Sequence, residues 1–337
     1  MRAGIKQVAQ LAEVSTATVS HVINNTRFVS LETKEKVYRA MEQLDFRPNA
    51  VAQSLRSQRS NTIGLIVPML PSDTSNFFFM TVAQGIQKTL KRRGYHMLLS
   101  NNSTEELEEE IEQIKLFNAK LIDGLIIASI AEDVGHLSET VNGKYPVVFI
   151  DRRPEGYKGD FILSDGFGAT LQAVRELLDK GHKRIGFLSA TLGISTSMER
   201  LEGYRKALEE RGIAFDPALV REIPASFDNG RLAAQQLLDG TDMTALFVAN
   251  NVLTMGAMSY LQERRVRIPQ ELAVIGYDDY DWTKITTPPL TVIRQPSFEL
   301  GEKAAEVMLS RIEEADGQEE EPREYRLPAQ LIVRDSC

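Results

Sequence analysis

At 337 residues the chain is too long for one compact domain, and its ordinary hydrophobic content allows two or three domains with sizeable cores. Cys337 is the one cysteine and the four histidines lack metal-ligand spacing, which excludes an internal disulfide and a cysteine–histidine metal cluster. The net charge of −8 is uneven: residues 1–60 carry nine Lys and Arg against five Asp and Glu, a net +4, which leaves −12 for the rest. A basic N-terminal segment on an acidic body indicates that the N-terminus faces phosphates.

The N-terminal segment is typical of two short helices joined by a tight turn. The apolar residues of the first helix share one face: Ile5, Val8, Ala9 and Ala12. Ser15 is a favourable N-cap for a second helix over Thr16–Asn24, in which Val19 and Val22 face the first helix. The spacing therefore predicts a helical hairpin with a small shared core.

The outward positions of the second helix are small, polar and almost uncharged: Thr16, Ala17, Thr18, Ser20 and His21. A solvated face ordinarily carries Glu and Lys, so this face is typical of a helix that approaches another molecule closely. In a helix-turn-helix the second helix enters the DNA major groove, where Thr16 and Ala17 would contact thymine methyls and His21 would donate to guanine. The alternative interpretation is a hairpin whose face is merely neutral.

A third helix is predicted over 33–44, followed by Pro48, which disfavours helix at Arg47 and suits the start of a new element. From 49 to 56 the pattern allows one or two helical turns, too short to be stable without a partner. Leu55 stands there between basic segments with no core to enter. We therefore expect it to act as a minor-groove wedge.

The N-terminal segment resembles the headpiece of the LacI/GalR family of bacterial repressors, most of all those of the purine and ribose repressors. The resemblance is carried by Val8-Ala9, the string from Val14 to Ser20, Val22-Ile23-Asn24, Val29-Ser30, Thr33, Val37 and the string from Arg47 to Leu55. It implies a homodimer that binds a palindromic operator, with paired hinge helices that insert Leu55 at a central CpG step. The DNA-binding residues that it implies are Thr16, Ala17, Thr18, His21, Asn24, Asn49, Ala52, Leu55 and Arg56.

From Asn61 onward, apolar runs alternate with helical stretches, which predicts doubly wound α/β sheets. The predicted strands are 63–67, 97–100, 124–128, 147–150, 185–189, 245–249, 272–276 and 330–334. The predicted helices lie near 80–93, 104–118, 167–180, 198–211, 229–238 and 252–264. The family resemblance extends over nearly the whole chain and implies a body like the periplasmic binding proteins, with two subdomains joined by three crossings.

These patterns predict an all-α headpiece at 1–46, a hinge helix and linker at 47–60, and an effector-binding and dimerisation domain at 61–337. The first subdomain is predicted at about 61–160 plus 292–321, and the second at about 161–291 plus 322–337. Because the chain has no membrane-length apolar run and no secretory signal peptide, we expect a cytoplasmic protein without membrane contact. No heptad tail follows the last strand, which favours a dimer over a tetramer.

Ligands of doubly wound sheets bind at the carboxyl ends of the strands, so loop residues there are the effector candidates. These candidates are Asn76, Phe78, Arg152, Arg200, Phe227, Asn250 and Asp278. Arg200 opens a helix, where acids are ordinarily preferred, and a guanidinium held there can bind vicinal hydroxyls or a carboxylate. The alternative for Arg200, Asn250 and Asp278 is a structural cap or ion pair.

The chain departs from the family pattern at Asn250-Asn251, at Ser164-Asp165 and in the loop before Gly230, so the headpiece does not identify the effector. Arg152 and Arg200 together favour a sugar, acidic or phosphorylated, and the alternative is a purine corepressor. We expect a ligand-controlled repressor without cofactor, metal or catalytic residues. The competing hypothesis is a cytoplasmic sugar-binding or sugar-processing protein that uses its N-terminal helices as a dimer arm.

Overall fold

The computed structural model describes residues 4–24, 27–46, 59–69, 76–102, 106–120, 122–131, 135–141, 145–191, 193–314 and 321–337. Backbone contacts divide the chain into two compact units, Met1–Ser60 and Asn61–Cys337. The predicted hinge helix over 49–56 lies outside the described residues.

The first unit contains helices α1 (Ile5–Leu11), α2 (Thr16–Asn24) and α3 (Leu31–Gln43). Ser15 caps α2 as predicted, since its Oγ accepts from the Thr18 N–H at 3.0 Å. Ser30 caps α3 in the same way, so α3 begins two residues before the predicted position.

The three helices are held by a small core in which Val8, Val19 and Val37 are fully buried. Burial of each valine contributes about 1.5–3 kcal/mol, which helices of this length need because they are marginal alone. Ile5, predicted to face inward, is 37% exposed because it begins α1 at the edge of this core.

The second unit is built on two sheets, each six-stranded in the described residues. The strands are β1 (Thr62–Pro68), β2 (His96–Asn102), β3 (Gly124–Ile127), β4 (Val147–Ile150), β5 (Asp160–Ser164), β6 (Ile185–Ser189), β7 (Val220–Glu222), β8 (Ala245–Val248), β9 (Ala273–Tyr277), β10 (Thr291–Arg294), β11 (Glu324–Leu327) and β12 (Gln330–Ile332). The order of the first sheet is β11-β5-β4-β3-β1-β2 and that of the second is β12-β10-β9-β8-β6-β7. All the pairs are parallel except β10 with β12, which confirms the predicted doubly wound architecture.

Helices cover both faces of each sheet. They are α4 (Asn76–Arg92), α5 (Leu107–Lys120), α6 (Gly135–Thr140), α7 (Gly166–Asp179), α8 (Ser195–Glu210), α9 (Phe227–Gly240), α10 (Asn251–Glu263), α11 (Asp281–Ile285) and α12 (Ser297–Glu314). On one face of the first sheet α4 and α12 pack at backbone distance: a side chain at Gly85 would meet the Phe298 carbonyl, and one at Gly301 would meet the Val82 carbonyl. The α7–α8 and α9–α10 pairs enclose the second sheet between two apolar cores.

The chain passes between the two sheets three times in the described residues, as predicted: after β5, after β10 and after β11. These crossings lie side by side. The Asp165 N–H donates to the Leu327 carbonyl at 2.9 Å, and Arg294 is in register with Gln330. The first and third connections are therefore hydrogen-bonded to each other, and the second adjoins the third.

The strand order differs from the predicted subdomain ranges at three places. Strand β5 belongs to the first sheet because Phe161, Ile162 and Leu163 are buried against β4, which moves the first boundary from 160 to about 164. Strand β11 also belongs to the first sheet, paired with β5, although 322–337 was assigned to the second subdomain. Strand β10 belongs to the second sheet, although 292–321 was assigned to the first.

No described helix is both long and apolar enough to cross a membrane.

Candidate functional site

The outer face of α2 carries the first group of candidate residues. Thr16 and Ala17 are exposed, and Thr18 and His21 are half-buried. The Thr18 Oγ1 lies 2.9 Å from the Ser15 Oγ, so this hydroxyl also takes part in the cap. The helix therefore presents the uncharged surface that the sequence predicts, while Val19 and Val22 hold its opposite face in the core.

The other DNA-binding candidates cannot be placed to the same extent. Asn24 ends α2, and its side chain is not described. The four hinge candidates lie outside the described residues: Asn49, Ala52, Leu55 and Arg56. The structure therefore brings together the candidates on α2 alone.

The second group of candidates meets in a cleft between the carboxyl ends of the two sheets. A cavity of about 180 Å³ opens there, walled by residues that follow β4, β6, β8, β9 and β10 and by the first turns of α4 and α8. Four of the predicted effector residues that line it are polar: Arg152, Arg200, Asn250 and Asp278. Chain segments far apart in sequence thus converge at one site, as expected for paired doubly wound sheets.

Two aspartates form matching corners of this cleft. Asp151 follows β4 with φ of 64°, and Asp278 follows β9 with φ of 68°, a left-handed conformation that Asp tolerates better than most residues. Each backbone N–H donates to the neighbouring strand, Asp151 to the Ile162 carbonyl at 3.1 Å and Asp278 to the Ile293 carbonyl at 2.8 Å. The two sheets therefore have the same backbone geometry at these corners.

Arg200 lies between these corners and is 9% exposed. Its guanidinium carbon lies 3.8 Å from the centre of the Tyr277 ring, and its Nη1 donates to the Ala249 carbonyl at 2.7 Å. The Arg200 Nε meets no acceptor among the described residues. The guanidinium is thus fixed by stacking and one hydrogen bond while a buried donor remains for a ligand.

Arg152 lines the cavity from the opposite sheet. Its Nε lies 3.8 Å from Asp151 Oδ2, beyond hydrogen-bonding distance, and meets no acceptor within the described part of the chain. Burial raises the pKa of the Asp151 carboxyl, although the neighbouring Arg152 and Arg200 guanidinium groups act in the opposite direction. The cleft therefore combines two cations that have spare donors with two aspartates, of which Asp278 is buried and Asp151 half-buried.

The remaining effector candidates have other surroundings. Asn250 lines the cavity but also caps α10, since its Oδ1 accepts from the Leu253 N–H at 3.1 Å. Phe78 borders the cavity from the hydrophobic core of the first sheet. Asn76 begins α4 and Phe227 begins α9 at 37% exposure, and neither belongs to the described wall of the cavity. Pro224 and Ala225, from the loop before α9, line it instead.

Gln295 was not predicted from the sequence, yet it lines the cavity and donates from its Nε2 to Asp278 Oδ1 at 2.8 Å. Gln295 follows β10. The rule that polar residues after strands line the cleft would therefore have found it if β10 had been predicted. Thr196 and Ser197, in the first turn of α8, were also missed.

A larger cavity of about 930 Å³ adjoins the cleft and shares Arg152 and Ile194 with it. Two contacts join the sheets beside this cavity. The Arg153 N–H donates to Ser195 Oγ at 2.9 Å, and Arg326 Nη1 lies 2.9 Å from Glu199 Oε1. Arg326 belongs to β11 of the first sheet and Glu199 to α8 of the second, so this ion pair crosses between the sheets.

The described residues contain no group of three His, Cys, Asp or Glu side chains that is suited to a metal ion.

Comparison with known proteins gives matches over both units. Residues 4–49 match the family model of bacterial regulatory proteins of the lacI family, and residues 60–335 match the model of periplasmic binding proteins and the sugar binding domain of the LacI family. The HTH-type transcriptional repressor PurR of Vibrio atlanticus (strain LGP32) is 34% identical over 337 residues, 99% of this chain and 98% of its own.

Solved structures resemble the whole chain as well. The lac repressor dimer bound to operator and the anti-inducer ONPF has a TM-score of 0.85 at 26% identity, covering 100% of this chain and 99% of that one. The complex of the transcriptional regulator CelR with cellobiose has a TM-score of 0.74 at 29% identity and covers 100% of both chains. Both matches extend across the headpiece and the two-sheet body.

Proposed function

Since the chain belongs to the LacI family, whose members are transcriptional repressors that bind operator DNA as dimers under the control of small-molecule effectors, we propose that a sugar carrying an anionic group controls this repressor from the cleft between its two sheets. We further propose that the chain has no catalytic role, in keeping with a family made of transcription regulators.

One observation carries the choice of effector: Arg152 and Arg200 each bring a buried Nε donor without an acceptor, among the described residues, to a cleft that also holds Asp151 and Asp278. A carboxylate or phosphate would accept from the guanidinium groups. Sugar hydroxyls would donate to the two aspartates. A ligand with both kinds of group satisfies this set, and a purely apolar ligand leaves it unsatisfied.

A purine corepressor is the second candidate function. It is favoured by the PurR repressors, which are 34% identical over 99% of this chain. Purines bind best between aromatic faces, yet the aromatic residues of the described cavity wall are Phe78 and Phe79, and both are packed in the core of the first sheet. We therefore propose an anionic sugar, rather than a purine, as the first candidate for the effector.

On the DNA side, we propose that α2 reads base edges in the major groove, with Thr16 and Ala17 on thymine methyls and His21 on a guanine acceptor. The exposed, uncharged surface of α2 supports this assignment. For Asn49, Ala52, Leu55 and Arg56 the sequence resemblance alone supports minor-groove contact.

The effector acts in this proposal by differential binding. A ligand held by Arg152 from one sheet and by Arg200 from the other favours the arrangement in which the two sheets are close. The largest possible change in operator affinity is then set by the ratio of the ligand's affinities for the two arrangements.

The test is fluorescence anisotropy of a labelled palindromic operator with a central CpG, measured with the full chain. Glucose, glucose 6-phosphate, galacturonate, hypoxanthine and guanine are added separately. We expect an anionic sugar to change operator affinity. If only the purines change operator affinity, the effector is a purine and the sugar is rejected. If none of the compounds changes operator affinity, control by either class of effector is rejected.

His21→Ala tests the reading helix in the same assay. We expect a loss of about 1–3 kcal/mol on the preferred operator and a smaller loss on operators changed at one base pair of the half-site, because a base contact discriminates between sequences. An equal loss on every operator would make His21 a phosphate contact instead.

A further inference from the structure

The effector cleft is too small to be a complete site on its own. Its cavity measures about 180 Å³, whereas ligand pockets commonly measure about 300–1,000 Å³. The adjoining cavity of about 930 Å³ supplies the missing space. We call the first the inner chamber and the second the outer chamber.

Arg152 lies at the junction of the two chambers, since it lines both together with Ile194. Its buried Nε has no acceptor among the described residues. An anionic group placed at this junction would accept from Arg152, while the parts of the ligand on either side would extend into the two chambers.

The outer chamber has a different charge balance from the inner one. Arg153 is paired with Glu324 at 3.0 Å and Glu199 with Arg326 at 2.9 Å, so these two lining residues are neutralised. Glu155 and Glu202 also line the chamber and are exposed. Carboxylates accept hydrogen bonds and repel anions, so this chamber suits hydroxyl groups and opposes a second acid.

The remaining walls of the outer chamber suit a sugar ring. Met198 is 41% exposed and offers an apolar surface to ring C–H groups. The Tyr157 ring packs on Phe149 at a centroid distance of 4.6 Å, which fixes its position. Burial, with a smaller effect of Asp160, raises the pKa of Tyr157 to about 12, so its hydroxyl remains a neutral donor and acceptor.

We infer that the effector is a two-ring carbohydrate with a single anionic group, bound with one ring in the inner chamber, its anion at Arg152 and its second, neutral ring in the outer chamber. This inference rests on the proposed function. It adds a subsite formed by Tyr157, Met198, Glu155 and Glu202, and it restricts the ligand class.

The test is isothermal titration of the full chain with probes of one and two rings. Glucose 6-phosphate is compared with three monophosphorylated disaccharides, trehalose 6-phosphate, sucrose 6-phosphate and maltose 6′-phosphate. Glucose is compared with cellobiose, and galacturonate is compared with digalacturonate. We expect at least one of the monophosphorylated disaccharides to bind about ten-fold more tightly than glucose 6-phosphate, the gain of one or two hydrogen bonds. Digalacturonate should gain less over galacturonate, because its second acid meets Glu155 and Glu202.

Met198→Trp places a bulky, rigid ring at the wall of the outer chamber where the second sugar ring would lie, and Met198→Leu is the matched control that adds no bulk. Because Met198 is partly exposed, neither substitution disturbs the core. We expect Met198→Trp to abolish the advantage of the two-ring probe without weakening glucose 6-phosphate, and Met198→Leu to preserve that advantage.

Equal affinities for one-ring and two-ring probes in the unmodified chain would overturn the inference, and so would an advantage that survives Met198→Trp or a failure of every two-ring probe to bind. If one-ring anionic sugars still change operator affinity in such a case, the proposed function stands without the outer subsite. If no sugar changes it, the proposed function fails as well.

Discussion

The two sheets of the body have the same backbone corner at the cleft but use it for different purposes. Asp151 and Asp278 share a left-handed φ and a hydrogen bond to the adjacent strand. The next residue is Arg152 in the first sheet and Asp279 in the second. Arg152 keeps a free Nε in the described structure, whereas the buried Asp279 is paired with Arg294 and Arg334.

The first sheet has a comparable ion-pair lock, but at its other end. Asp160 begins β5 and accepts from Arg311 Nε at 2.7 Å and from the Arg323 N–H at 3.0 Å. The second sheet thus fixes its cleft end, and the first fixes the end away from the cleft. In the first sheet the ion-pair lock and the ligand-facing residues therefore lie at opposite ends, whereas in the second sheet they lie at the same end.

The largest expected effect comes from removing the two locks. Asp279→Asn and Asp160→Asn should each lower the free energy of unfolding by roughly 3 kcal/mol, the lower end of the range for a buried ion pair that loses one partner. Urea denaturation at pH 7 measures both losses. If the locks differ in the way described, only Asp279→Asn also weakens effector binding, because Asp279 adjoins Asp278.

Lowering the pH sharpens this comparison. Burial raises the pKa of Asp279, but hydrogen bonds from Arg334 and Arg294 outweigh it, so the pKa lies below its ordinary value. A carboxyl with a depressed folded-state pKa stabilises the protein above its unfolded pKa of about 3.9 and loses that contribution as the pH falls further. The stability difference between the unmodified chain and Asp279→Asn should therefore shrink below about pH 4. A constant difference down to pH 2 would contradict this assignment.

An intermediate effect is expected at the opposite corner. Arg152→Ala should weaken binding of an anionic sugar such as glucose 6-phosphate by about 1.5–3 kcal/mol, the contribution of a hydrogen bond to a charged group, with little change in stability. Arg153→Ala is the matched control, since Arg153 is exposed and paired with Glu324. Unchanged binding of the acidic sugar by Arg152→Ala, in isothermal titration, would count against the anion site.

The smallest effect is expected where the sheets meet. Arg326→Gln removes the partly exposed pair with Glu199 and should reduce stability by less than about 1 kcal/mol. It should also weaken effector binding by about two- to five-fold, because the pair supports the arrangement with the sheets close together. Glu324→Gln is the control, since it removes a neighbouring carboxylate without breaking the pair between the sheets. Equal effects of both variants on effector binding would reject that role.

The sequence predicted the α2 surface and eight of the strands because each depends on local pattern. Strand β5 was missed since Phe161 to Leu163 form an apolar run too short to stand out. Strand β11 was missed because its residues alternate between exposed and half-buried, as on a sheet edge. Both errors displaced the subdomain boundaries.

The effector candidates divided in a similar way. Arg152, Asn250 and Asp278 line the cavity, as expected from their positions after strands. Arg200 lines it as well, but it does not open the helix as predicted, because α8 begins at Ser195 and Arg200 lies in its second turn. Phe227 was expected in the cleft from its chemistry, yet it begins α9 at the surface, and the preceding Ala225 lines the cavity instead. Whether a loop residue faces the cleft or the surface depends on how the loop packs in the folded protein, and the residue type alone does not determine that packing.

The three crossings between the sheets have a mechanical consequence. Connections that lie side by side, with the Asp165 N–H bonded to the Leu327 carbonyl and Arg294 in register with Gln330, resist sliding and twisting but permit bending about one line. Relative motion of the two sheets would then be confined mainly to one angle. Ligands of different shape would stabilise different values of that angle. A series of such ligands would then change operator affinity by intermediate amounts.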